Sequence, residues 1–251
     1  MLKVLINERI KYLTLSKFIM QVVIIVVATL VFAIAAHQFG DSVQLVSGSF
    51  YLAFLKGGLN GIFLKPLIPI LMITVTVSII ADDYTSGCMK FFLVSKMSRG
   101  KMFIGKILFL CMLTFILMLL TFLITALVGY LFFNDTDKIF TQTFFNILAV
   151  YTASAILIFP TILLTAFISL LSNSYQGALG MSLGAYLVTF MLDNFISKVR
   201  YISPTGGLSY CNTLFNDFNN GGIRFIIASL IYTAAFLIIN IIIFKRKDMV
   251  L

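Results

Sequence analysis

The chain has no tryptophan, a single histidine (His37), three cysteines and four prolines in 251 residues, and only 11% of it is charged. Each scarcity excludes something. Cys88, Cys111 and Cys211 are scattered without a C-x-x-C pair. With one histidine beside them they form neither a disulfide framework nor a Cys/His metal site. Acids are few, nine against eighteen Lys and Arg, so the chain carries a net +9. What is abundant is apolar: 61% of residues are hydrophobic and the mean hydropathy is +1.08. So few charges cannot cover a soluble domain of this length. The composition is that of a membrane protein.

A membrane-crossing helix needs about 20 mostly apolar residues. Six stretches meet that: residues 18–37, 62–81, 102–133, 144–171, 175–192 and 225–244. The third and fourth exceed the requirement and are expected to tilt or project beyond the bilayer. Pro160 should kink the fourth, while Pro66 and Pro69 lie at the start of the second, where proline is tolerated. Residues 1–17 place Leu2, Leu5, Ile6, Ile10 and Leu13 at three- and four-residue spacing opposite Lys3, Asn7, Glu8 and Lys11. That pattern predicts an amphipathic helix lying in the membrane interface. Ala33-Ile34-Ala35 resembles a signal-peptidase site, but the preceding apolar run of about 18 residues exceeds an ordinary signal core, so the span is read as retained.

Basic residues orient the chain. With the N-terminus inside, the inner segments hold Lys3, Arg9, Lys11, Lys17, Lys90, Lys96, Arg99, Lys101, Lys106, Lys245, Arg246 and Lys247. The outer ones hold only Lys56, Lys65, Lys138, Lys198, Arg200 and Arg224. The positive-inside rule therefore puts both termini in the cytoplasm. The natural partner of this charge is an anionic leaflet, not nucleic acid.

One stretch invites a nucleotide-binding reading. In "SRGKMFIGKI", Gly100, Gly105 and Lys106 match the spacing G-x-x-x-x-G-K. A working phosphate loop follows a strand and ends in Lys-Ser or Lys-Thr, whose hydroxyl holds Mg²⁺. Here residue 107 is Ile and the segment opens a charge-free apolar run. Its amides belong to a helix, and Lys106 is expected to snorkel from the first turn toward the cytosol.

The surrounding segment, "ADDYTSGCMKFFLVSKMSRGKMFIGK", connects the second and third spans. It opens on Asp82 and Asp83, continues through an apolar cluster and ends in Lys96, Arg99 and Lys101. This predicts a short helix flat on the cytoplasmic side with one face open to a partner. The segment resembles the first cytoplasmic loop of the ABC-2 family of transporter permeases. There an acid precedes a glycine by four residues, followed by an apolar helix, a Ser-Arg pair and a lysine about seven residues on. Here those positions read Asp83, Gly87, Phe91–Val94, Ser98-Arg99 and Lys106. Asp83, Cys88 and Met97 stand where the family usually has Glu, Thr and Pro.

The resemblance extends to the six-span layout, the interfacial N-terminal helix and the basic tail. It implies one ABC-2 transmembrane domain over residues 1–251, all-α and polytopic, with a cytoplasmic coupling helix in the loop 82–101. It implies coupling to a separate ATPase subunit through Asp83, Gly87, Lys90, Phe91, Phe92, Ser98 and Arg99. ATP and Mg²⁺ would be bound on that partner, with no cofactor, metal or catalytic residue in this chain. A second permease copy or paralogue would complete a twelve-helix pathway in a bacterial plasma membrane. Small permeases of this kind resemble exporters of lantibiotics, bacitracin-type antibiotics and cytolytic amphipathic peptides, so amphipathic peptides or hydrophobic drugs are the expected cargo.

The spans themselves agree with an external energy source, because their centres lack Asp, Glu, Lys, Arg and His, which ion-driven transport and intramembrane proteolysis use. Candidate polar positions on the path are Thr74 and Ser78 on the second span and Thr161 and Thr165 on the fourth. Hydroxyls at that spacing commonly bond their own helix backbone instead. Gly180 and Gly184 form a G-x-x-x-G in the fifth span, expected to permit close helix packing within the subunit, with use between subunits left open. His37 reads as an interfacial residue. The long outer connection 193–222 is expected to carry short helices resting at the outer interface; in the family that the segment resembles, this region often re-enters the membrane and caps the path. Three other readings remain: a peptide-immunity or sensor protein that does not transport, a membrane-embedded enzyme, and a channel.

Overall fold

The computed structural model describes residues 17–39, 50–58, 65–85, 99–132, 142–172, 174–196, 203–209 and 223–246. Nearly all of these are helical. In chain order the elements are α1 (Lys17–Phe39), α2 (Phe50–Gly58), α3 (Ile68–Thr85), α4 (Arg99–Phe132), α5 (Gln142–Leu171), α6 (Tyr175–Phe195), α7 (Gly206–Ser209) and α8 (Ile223–Arg246). Five of them, α1, α4, α5, α6 and α8, are long and apolar enough to cross a membrane. This is a helical membrane protein.

The expected span at 62–81 comes out shorter than the other five. Its apolar helix runs only Lys65–Ala81, opening in a single π turn over residues 65–67 before α3 begins at Ile68. The prolines explain the opening. Pro69 has no N–H to return to the carbonyl of Lys65, four residues back, so a regular α-helical start is unavailable there. The phenol of Tyr186 on α6 donates to that same carbonyl.

Helix α5 is the centre of the bundle and packs against α3, α4, α6 and α8. It and α3 contribute most of their side chains to the core, including Met72, Ile73, Val77, Ile80, Tyr151, Ile158 and Ala166. The peripheral helices turn apolar residues outward: Val23 and Val27 on α1, Met112 and Leu123 on α4, Val188 and Met191 on α6, Ile231 and Ile238 on α8. An apolar exterior around a packed interior is what a lipid solvent selects. The hydroxyls inside are mostly spent locally. Thr29, Thr76, Thr114 and Ser154 donate to carbonyls one turn back in their own helices.

Pro160 repeats the logic of Pro69 in the middle of α5. It leaves the carbonyl of Ile156 without its helical N–H, and Ser229 Oγ on α8 donates to that oxygen at 2.9 Å. Eleven residues further along α8, Asn240 Nδ2 donates to the Leu163 carbonyl at 2.9 Å. Two cross-helix bonds, three turns apart, fix α8 on α5. Ser229→Ala should therefore destabilise the folded protein by about 1 kcal/mol in detergent unfolding. In a Pro160→Ala background, where residue 160 regains its N–H, the same substitution should cost less than half as much. Equal costs in both backgrounds would separate the serine from the proline.

Two short elements were not resolved by the pattern of apolar runs. Helix α2 lies against α1 and α4, with Phe54 stacked on Phe32 at 5.2 Å and the Leu55 carbonyl accepting from Tyr151 at 2.9 Å. The segment 203–209, ending in α7, packs on α5, α6 and α8. A Cβ added at Gly207 would stand 3.1 Å from Leu157, near the middle of α5. A short helix is thus present in 193–222, but it packs inward on the bundle instead of resting at the outer interface as expected.

Candidate functional site

The loop 82–101 is described only at its two mounts. Asp83 lies near the end of α3, and Arg99 is the first residue of α4. Gly87, Lys90, Phe91, Phe92 and Ser98 fall outside the described residues, as do residues 1–16 of the expected interfacial helix.

Just beyond the loop the structure overturns one expectation. Lys106 does not snorkel outward. It is 1% exposed, and its Nζ donates to the Ile79 carbonyl of α3 at 2.8 Å. Its position along α4 is the reason. Met102, Phe103, Lys106, Leu110, Leu113 and Leu117 recur at three- and four-residue spacing on the inward face, and all are buried. The ammonium also sits toward the C-terminal end of α3, where the helix dipole favours a cation. Lysine here ties α3 to α4 two turns from where α4 leaves the loop.

The four hydroxyl candidates separate into two places. Thr74 and Ser78 line a cavity of about 190 Å³ between α1, α3 and the start of α6, with Lys17, Gln21 and Tyr175. Lys17 Nζ donates to Ser78 Oγ at 2.7 Å across the gap, whereas Thr74 Oγ1 donates to the Leu71 carbonyl of its own helix. Thr161 and Thr165 line a different and much smaller void of about 10 Å³, with Tyr186, Thr189, Pro204 and Thr205. That is room for about one water. Both hydroxyls bond within α5, Thr161 to Ile158 at 2.6 Å and Thr165 to Thr161 at 2.7 Å. Ser78 alone of the four reaches another helix in these bonds.

Sequence reading missed Asp193. Its span was taken to end at Leu192, yet α6 continues to Phe195 and Asp193 is fully buried. Thr205 Oγ1 donates to its Oδ2 at 2.5 Å, and Ser203 and Thr205 share a hydroxyl contact of 2.8 Å. The inward segment 203–209 is thereby latched to the end of α6. The signal was available, because Ala178, Ser182, Tyr186 and Asp193 form one buried helical face.

The G-x-x-x-G faces the other way. Gly180 and Gly184 are exposed, and a Cβ added at either would meet nothing within 4 Å. The expected close packing inside the subunit does not occur, because Ser182 and Tyr186 occupy the inward face of α6 instead. His37 is exposed in the last turn of α1, consistent with an edge position.

Comparison with known proteins adds a family and no activity. Residues 38–250 match the family model described as "Protein of unknown function (DUF2705)". No curated protein matches the chain.

Proposed function

We propose that this chain, which belongs to the DUF2705 family, is the membrane permease subunit of an ATP-driven exporter of the ABC-2 type. The observation that carries the reading is the mounting of the loop 82–101. Its two ends emerge from α3 and α4, and Lys106 pins those helices together through the Ile79 carbonyl. A push on the loop is therefore delivered to two helices acting as one body. One of them, α3, supplies Leu71, Thr74, Val75 and Ser78 to the wall of the larger cavity. Lys17 of α1 faces α3 across the gap and donates to Ser78. Displacing the clamped pair therefore bears directly on that cavity.

In this reading the basic end of the bundle faces the cytoplasm of a bacterial cell, and the chain crosses the plasma membrane six times, with α3 as the sixth span. ATP and Mg²⁺ bind two copies of a separate ATPase, which docks on the loop through Asp83, Gly87, Lys90, Phe91, Phe92, Ser98 and Arg99. A second permease packs along α6, where Gly180 and Gly184 leave an open small-residue face. The segment 203–209 closes the outer side of the path, its irregular backbone tolerated because it is buried in protein. Apolar walls with sparse hydroxyls suit amphipathic peptides or hydrophobic drugs.

Co-purification with ATPases encoded by neighbouring genes tests this. One of them should remain bound through size exclusion, and its hydrolysis should rise on reconstitution with the chain. Transport by the isolated chain in vesicles, or failure of every such ATPase to associate, would refute the assignment.

A further inference from the structure

The 190 Å³ cavity has a chemistry of its own that does not depend on export. It is cationic at one end, apolar along its length and open on an apolar flank. Lys17 supplies the charge; its ammonium has three donors, of which one goes to Ser78 at 2.7 Å. Gln21, 4% exposed, lines the space and donates to the Leu71 carbonyl at 3.5 Å. Among the described residues, no carboxylate lines the space. Ile24, Leu71 and Val75 form the trough, and Met20, 63% exposed, stands at its mouth beside the outward-facing Ile19 and Val23.

From this juxtaposition we infer that the crevice between α1, α3 and α6 binds a phosphate-headed amphiphile, the head at Lys17 and the chain leaving past Met20. Size supports the split. The cavity, about 190 Å³, is many times the void beside Thr161 and Thr165, enough for a head and the first methylenes but not for a whole lipid. The remaining chain lies along the exposed apolar flank of α1. A bilayer phospholipid offers all three features at once: negative charge, a narrow neck and a tail already in the surrounding solvent. A free phosphate shares only the first.

Native mass spectrometry of the full chain from nanodiscs of mixed phosphatidylglycerol and phosphatidylcholine distinguishes these. The wild type should retain phosphatidylglycerol, and Lys17→Gln should lower that retention about five- to tenfold. Lys101→Gln, exposed on α4 and outside the crevice, should leave it unchanged. Thr74→Trp, which fills the trough and keeps the charge, should also expel the lipid. Undiminished retention in Lys17→Gln would overturn the inference. So would displacement by equimolar glycerol phosphate, which would assign the site to a soluble phosphate and leave the tail without a role.

Discussion

Lys106→Glu should yield a protein that inserts but does not form the native bundle. The lysine is 1% exposed, and its ammonium points at the Ile79 carbonyl at 2.8 Å. Glutamate keeps the approximate length and reverses the charge, setting an anion against the negative end of a carbonyl dipole and near the C-terminal end of α3. An uncompensated buried charge costs about 3–5 kcal/mol, a large part of the stability of a domain. Loss of monodispersity and a collapsed thermal transition in detergent would report it. Lys106→Met separates charge from volume. It fills the same space without donating, and should cost about 1.5–3 kcal/mol, the worth of a charge-assisted bond. A stable, monodisperse Lys106→Glu protein would mean that the side chain lies outside the core.

The long apolar runs made the five long helices readable, because a membrane span is announced by composition over about 20 residues and needs no partner. Lys106 shows what such reading discards. The loop before it is basic and its register along α4 is apolar, and register decides where the side chain goes. Asp193 was missed because the apolar run was ended at Leu192, one residue short of a buried face that includes it. Helix α2 was illegible because it is too short to be stable alone and is held by Tyr151, distant in sequence. A short helix was expected in 193–222, but not that Asp193 would latch it inward through Thr205. The G-x-x-x-G announced close approach without saying on which side. The prolines were half legible: the kink at Pro160 was expected and Pro69 was read as tolerated at a helix start, but that Tyr186 and Ser229 take up the carbonyls they release was not evident.

Reversing charge at the two ends of the loop should separate fuel use from transport. Asp83 lies near the end of α3 and Arg99 begins α4, both at the ends of the loop and outside the Lys106–Ile79 contact. Asp83→Lys and Arg99→Glu should therefore insert like the wild type. In the proposed transporter, what they lose is the interaction that makes ATPase closure and helix movement favour one another. Coupling free energies between sites are commonly 1–3 kcal/mol, so export should fall about 5- to 150-fold while hydrolysis by the bound ATPase continues. The measurement is a ratio, cargo exported per ATP hydrolysed in vesicles, and it is insensitive to expression level. Lys106→Met should lower the same ratio by a different route, because it leaves the loop's docking surface intact and loosens α3 from α4. If the loop is a lever on a clamped pair, combining Arg99→Glu with Lys106→Met should do little more than the worse single change, since both interrupt one chain of transmission. Losses that simply multiply would mean that loop and clamp act independently, and unchanged export in both loop variants would remove the loop from the mechanism.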